Sequence, residues 1–414
     1  MCLTFFVVAI DRANISVAVP TIASAFQVST AVIGVVLSAF FWGYVPIQLP
    51  GALFGTYVNA RWLITGSLLA WALGTVLSGM SHSLPELIAS RVVVGLAEGA
   101  AVPTLLVLIQ RWFPVEERAR ATSAFFVFGQ LGNLTGTAIT GVLIAATSWQ
   151  TTFFLEAIPS VIVAIIVAIW IADRPESDRR LGGAEREMLL DSRAREAAET
   201  GTRQSAPWTS VVRSPILWGF VFVWIMSSAG SYGLQSWVPT VVKEATRSGI
   251  GSVGLLSAIP YLVSIVLLIV VGFASDKLHR RDLFIIAGFV LAGIAIFLGP
   301  ALSDPAGRLT VIFLGVGCNA AITGIIIAWL EDLTPHTHAG IAIGMVQFFG
   351  QMAGIGTPLA VGFLAGNGPA TGALWIIGVG LLLGAAMSVL LYVGARRRAR
   401  RSTNDRQLLA EGAA

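Results

Sequence analysis

Stretches of about twenty apolar residues follow one another along this chain with only short polar breaks, and each is long enough for a helix to cross a hydrocarbon core about 30 Å thick. Twelve segments qualify: 2–22, 30–54, 62–80, 84–110, 121–146, 152–172, 215–242, 252–274, 283–301, 308–330, 339–364 and 372–395. Strict alternation of apolar and polar residues is absent, and Gly, Ala and Leu dominate, so helices are expected rather than a β-barrel. Of the 414 residues, 56% are hydrophobic and 12% charged. A soluble protein carries roughly 25% charged residues, so most of this surface must face lipid. The run Gly129-x-x-Gly132-x-x-x-Gly136 predicts a tight helix–helix contact.

Charge placement orders the spans. Of the 26 Lys and Arg, Lys243, Arg247 and Arg308 fall on one side, Arg12 and Arg91 lie within spans, and the remainder fall on the other side. The positive-inside rule then puts both termini in the cytoplasm. It also explains the basic composition. Arg396, Arg397, Arg398, Arg400 and Arg401, directly after the last span, read as a topological anchor near anionic lipid and not as a nucleic-acid patch.

The longest polar stretch divides the chain six and six. The expected organisation is an all-α membrane protein with a six-helix bundle over 1–173, a linker over 174–214, a second bundle over 215–395 and a basic cytoplasmic tail over 396–414. The linker reads as a short amphipathic helix followed by a flexible Ser/Thr/Gln piece. A weak repeat relates the halves: GALFGTYVNAR (51–61) follows the second span and GFASDKLHRR (272–281) the eighth. Duplicated halves imply alternating access about a midplane site.

Five ionisable side chains fall inside spans: Asp11, Arg12, Arg91, Glu98 and Glu156. A charge at membrane depth costs at least about 2.5–3.5 kcal/mol and marks a functional candidate. Arg91 and Glu98 are seven residues apart, almost two full helical turns, so they share a face at an axial separation of about 10 Å. They are expected as two stations along one polar cavity. The guanidinium suits a carboxylate, and the glutamate can lose and gain a proton. The alternative is structural: Arg91 neutralising Asp11 or Glu98, and Arg12 merely pairing. Glu156, near the end of the sixth span, reads as an interfacial carboxylate.

The segments IDRANISVAVPTI (10–22), SAFFWGYVPIQLPG (38–51), SRVVVGLAEGAAVP (90–103) and RWFPVEERARA (111–121), with QSWVPT (235–240) in the second half, resemble the anion:cation symporter branch of the major facilitator superfamily. That branch includes bacterial sugar-acid importers and vesicular glutamate and sialic acid transporters of animals. The resemblance implies that Arg91 binds a substrate carboxylate, that Glu98 and Asp11 are proton sites, that Arg12 assists, and that Tyr44 faces the cavity. It makes the loop bearing Glu117 and Arg118 a gating element. Two departures stand out: Val8 and Ala9 replace a polar Asn-Tyr pair, and Gly55 stands where the superfamily's loop carries an acid, whereas the second half keeps Asp276.

Amides in a membrane need partners. Gln130, Gln235, Gln347 and Gln351 are expected to meet substrate, since they lie on helices that line the cavity in the resembled fold. Asn133, Ser236 and Asn319 are further polar candidates, and Trp237 reads either as a cap on the outer mouth or as an interface aromatic. His336 and His338, beside Glu331 and Asp332, read as a solvated loop and not as a metal site. Cys2 and Cys318 give no disulfide framework. No cleavable leader, no Gly-Lys-Ser/Thr phosphate loop and no catalytic Ser–His or Cys–His arrangement is evident.

The expectation is therefore a membrane carrier, not an enzyme. It would act as a monomer in the cell membrane, with no cofactor and no nucleic-acid partner, importing a small carboxylate with protons. Two rivals stay open: proton-driven antiport of an amphiphilic compound, and a membrane sensor that transports nothing.

Overall fold

The computed structural model describes residues 1–178, 180–201, 211–334 and 336–411. The first half forms α1 (Cys2–Phe26), α2 (Thr30–Tyr57), α3 (Ala60–Gly79), α4 (Leu84–Gly99), α5 (Ala101–Trp112), α6 (Val115–Ala146) and α7 (Trp149–Trp170). A surface helix α8 (Gly183–Gly201) follows. The second half forms α9 (Pro215–Thr246), α10 (Ile250–Leu278), α11 (Arg281–Leu298), α12 (Pro305–Leu333), α13 (His336–Ala365) and α14 (Trp375–Glu411). Among the described residues, twelve spans are long and apolar enough to cross a membrane, with α4 and α5 together making one. The expected amphipathic linker helix is α8. The Ser/Thr/Gln piece at 202–210 lies outside the described residues, as do the side chains of His336 and His338 and those of the tail from residue 398 onward.

Local chemistry sets the helix ends. Asn59 and Ser148 cap α3 and α7 by accepting from Arg61 N and Thr151 N, and Asp304 caps α12 at 2.7 Å from Gly307 N. Gln27, Arg247 and His279 close α1, α9 and α10 in the left-handed conformation. The fourth span breaks at Ala100 because Pro103 has no N–H for the Gly99 carbonyl and its ring crowds that position.

Each half packs as a bundle. α1 lies against α6, α2 against α4, and α3 against α7, while α9 packs on α13 and α14, and α12 on α10 and α11. The expected glycine run receives α1: a Cβ on Gly136 would sit 2.7 Å from Ile10 Cα, and one on Gly132 2.8 Å from Ala9 Cβ. α2 and α4 approach more closely still, since a Cβ on Gly95 would collide with the Phe40 carbonyl.

The two bundles meet through α2 with α13 and α6 with α10. The close backbone approaches between them gather at the end bearing the α1–α2 turn. Ala31 N donates to Gly366 O at 3.2 Å and Thr30 Oγ1 to Gly368 O at 2.8 Å. A Cβ on Gly254 would lie 2.7 Å from Gly141 Cα. The opposite end carries the basic residues. There Asp173 accepts from Ala60 N at 2.8 Å and pairs with Arg111 at 2.6 Å, and Arg281 pairs with Asp332 at 2.6 Å and Asp276 at 3.8 Å.

Candidate functional site

Adjacent residues of an α-helix point about 100° apart, so Asp11 and Arg12 leave α1 in different directions. Arg12 forms an ion pair with Glu98 of α4. Asp11 turns into the first bundle, where its Oδ1 accepts from Asn14 Nδ2 at 3.0 Å and Thr75 Oγ1 at 2.9 Å. Its Oδ2 faces Arg91 NH1 at 3.7 Å. Two crossed pairs therefore join α1 to α4. Both acids and Arg91 are buried, whereas the Arg12 side chain keeps 18% of its surface exposed.

A small cavity lies beside these pairs, lined by Arg12, Arg91, Phe40, Phe41, Tyr232 and Gln235 among others. Both guanidiniums reach it, and neither acid lines it. Arg91 and Glu98 do share a helix face, as seven-residue spacing requires, but that face is turned to α1. Glu98 is fully buried behind Arg12 and does not form a second station on the wall. The arginines are backed by aromatic faces: Arg12 lies 4.9 Å from the Tyr44 ring centre and Arg91 5.8 Å from that of Phe40. Tyr44 is thus a buried platform beneath Arg12 and not part of the lining.

A second, roomier cavity lies between α6, α9, α10 and α12. Gln130, Asn133, Thr137, Ser231, Tyr261 and Asn319 are among its polar walls, and Gln235 belongs to both cavities. Gln235 donates to Asn133 Oδ1 at 3.0 Å, linking the bundles. Ser257 Oγ, also on this wall, has no hydrogen-bond partner. Asn319 donates to Ser227 O and Ser231 Oγ, both at 3.0 Å, so it ties α12 to α9.

Other expected residues fall elsewhere. Gln351 accepts from the Tyr232 hydroxyl at 2.6 Å and holds that ring at the first cavity. Gln347 lines neither cavity. Trp237 is fully buried in the core and caps nothing. Glu156 is not interfacial: it is buried in the first bundle and accepts from Thr140 Oγ1 at 2.5 Å. Phe40, Phe41, Tyr232 and Tyr261 were not singled out from sequence. The spacing of Tyr232 to Gln235, one helical turn, was a usable signal.

The site therefore offers two paired cations at a cavity wall and a neighbouring chamber of amides and hydroxyls.

Comparison with known proteins agrees with this architecture. A protein of Oryza sativa subsp. japonica named as a probable chloroplastic anion transporter is 25% identical over 382 residues, which is 88% of this chain and 63% of that protein. The chain thus spans less than two thirds of that relative's length. One named as a probable sulfoacetate transporter of Cupriavidus necator is 28% identical over 373 residues, covering 88% of this chain and 85% of the relative. Among solved structures, a bacterial homologue of the human lysosomal transporter Spinster, inward-facing and occupied, superposes with a TM-score of 0.76 at 16% identity over 94% of this chain and 95% of that one. The family model of the Major Facilitator Superfamily matches residues 1–251 and again 242–412. Twelve spans in two bundles about a polar cavity, matched by that family along nearly the whole length, establish that the chain belongs to the Major Facilitator Superfamily.

Proposed function

We propose that the chain is a proton-coupled importer of small organic anions that works by alternating access. The observation that carries this reading is the crossed pairing of Arg12 with Glu98 and Arg91 with Asp11 beside a cavity that only the arginines line. Relatives named for anion and sulfoacetate transport support the anionic class.

The coupling follows from charge. Each guanidinium already has a carboxylate. A substrate carboxylate gains a free cation only when the resident acid is neutralised, because a buried unpaired charge costs several kcal/mol. Protonation of Glu98 releases Arg12, and protonation of Asp11 releases Arg91. Proton and anion thus bind better together than apart, and by linkage each raises the affinity for the other. Tyr232, Gln235 and the amide chamber would take the substrate's hydroxyl groups.

In this reading the basic end is cytoplasmic, and the bundles are closed at the outer end, where α2 meets α13 and α6 meets α10. The membrane is the cell membrane. The test is uptake of a panel of labelled carboxylates and sulfonates into proteoliposomes under an inward proton gradient. Accumulation that collapses with a protonophore is expected. Proton-driven expulsion would make the protein an antiporter, and no flux with any member would end the carrier reading.

A further inference from the structure

The mechanism above leaves one buried acid without a task. Glu156 of α7 sits inside the first bundle with 6% of its surface exposed. Thr140 Oγ1 of α6 donates to its Oε1, and the Asn14 side chain of α1 lies against its carboxyl. The charged groups that face it are Asp11 from α1 and Arg91 from α4; α6 supplies the Thr140 hydroxyl, and α3 places Thr75 on Asp11. Arg12 is paired with Glu98 and Arg91 with Asp11, which leaves Glu156 no cation of its own among the described residues.

The hydrogen-bond ledger points the same way. Glu156 Oε2 and Asn14 Oδ1 are both buried acceptors without a donor, and Asn14 is fully buried. An unsatisfied buried polar atom destabilises the fold, and a charged one does so more strongly. One hydrogen on Oε2 turns this orphan acceptor into a neutral hydroxyl. It also removes a negative charge that would otherwise compete with Asp11 for the single guanidinium of Arg91.

We propose that Glu156 is a third proton-binding site of this protein, seated behind α1 and joined to the cavity through Asn14, Asp11 and Arg91. Its use in transport rests on the carrier reading; the proton site itself does not. With the proton in place the cluster of Arg91, Asp11 and Glu156 is neutral. Loss of the proton puts two carboxylates on one cation, so occupancy of Glu156 sets how firmly Arg91 is held away from a substrate.

The test uses the full chain in liposomes, with no substrate. Infrared difference spectra between acidic and alkaline buffer are recorded, and the protons released on alkalinisation are counted with a dye. The expected result is a carboxylic-acid carbonyl band that is missing in Glu156→Gln, with one proton fewer released per chain. Asn14→Ala and Thr140→Val keep the acid and are expected to shift the same band, which reads out the site should Glu156→Gln fold poorly. An unchanged band and proton count in Glu156→Gln, or no shift in the two neighbour variants, would overturn the proposal. So would a sodium-dependent rise in melting temperature, measured against choline, that Glu156→Gln abolishes, since the orphan oxygens would then bind a cation. If the infrared result holds while no anion is taken up, the carrier reading falls and the proton site stands.

Discussion

Arg91 and Glu98 both look toward α1 but meet different partners there, and their variants should part accordingly. Arg91→Ala strands Asp11 in the bundle interior, where breaking a buried pair costs about 3–5 kcal/mol. Loss of anion binding in that variant alone would therefore be ambiguous. Adding Asp11→Asn removes the stranded charge, so the double variant should recover most of the melting temperature and still bind no anion. Recovery of binding in the double variant would exclude Arg91 as the anion's partner. Glu98→Gln mimics the protonated acid and leaves Arg12 unpaired. Anion affinity in alkaline buffer should rise within the roughly 5–150-fold range of typical coupling energies, while gradient-driven accumulation is lost. Accumulation that survives would take Glu98 out of the coupling.

At the scale of elements, the α2–α4 contact fixes where both pairs can form. Phe40 and Tyr44 of α2 back the arginines, and Gly95 of α4 lets the helices close to backbone distance. A side chain at 95 meets the Phe40 carbonyl, which has no freedom to yield. Gly95→Val should cost about 1–3 kcal/mol or more through overpacking, seen as a lower melting temperature in detergent, together with weaker anion binding. At the basic end, Asp173 holds Ala60 N at the start of α3 and Arg111 at the end of α5. In the second half Arg281 pairs with Asp276 and Asp332. Asp173→Ala should lower stability by about 1–3 kcal/mol without changing anion affinity, since it is remote from both cavities.

For the whole molecule, the alternating-access reading makes the contact of Gly141 with Gly254 a feature of one arrangement of the bundles. A side chain at 254 would press on Gly141 Cα and the Thr137 carbonyl, both backbone atoms. Gly254→Leu should therefore disfavour closure at this end, stopping transport while the chain stays folded and helical. A cysteine at Ser16, which lines the first cavity, should become reactive toward an impermeant maleimide added on that side. Full transport in Gly254→Leu would mean that closure here is no step of the cycle.

The number of spans, their helical nature and the face that carries the basic residues were legible in the chain alone. These depend on hydropathy and loop charge, which accumulate locally along the chain. The sequence also marked the five membrane charges, because any charge at that depth needs a reason. Tertiary structure alone decided which acid meets which arginine. Arg12 and Glu98 lie 86 residues apart, and their pairing depends on the rotation and tilt of two helices, which no local pattern encodes. The same holds for Glu156, which its place near a helix end suggested was interfacial and which α1, α6 and α7 enclose together. The aromatic and tyrosine walls of the cavities were illegible for a related reason: in an apolar span a ring facing lipid and a ring facing a cavity look alike until the helices are assembled.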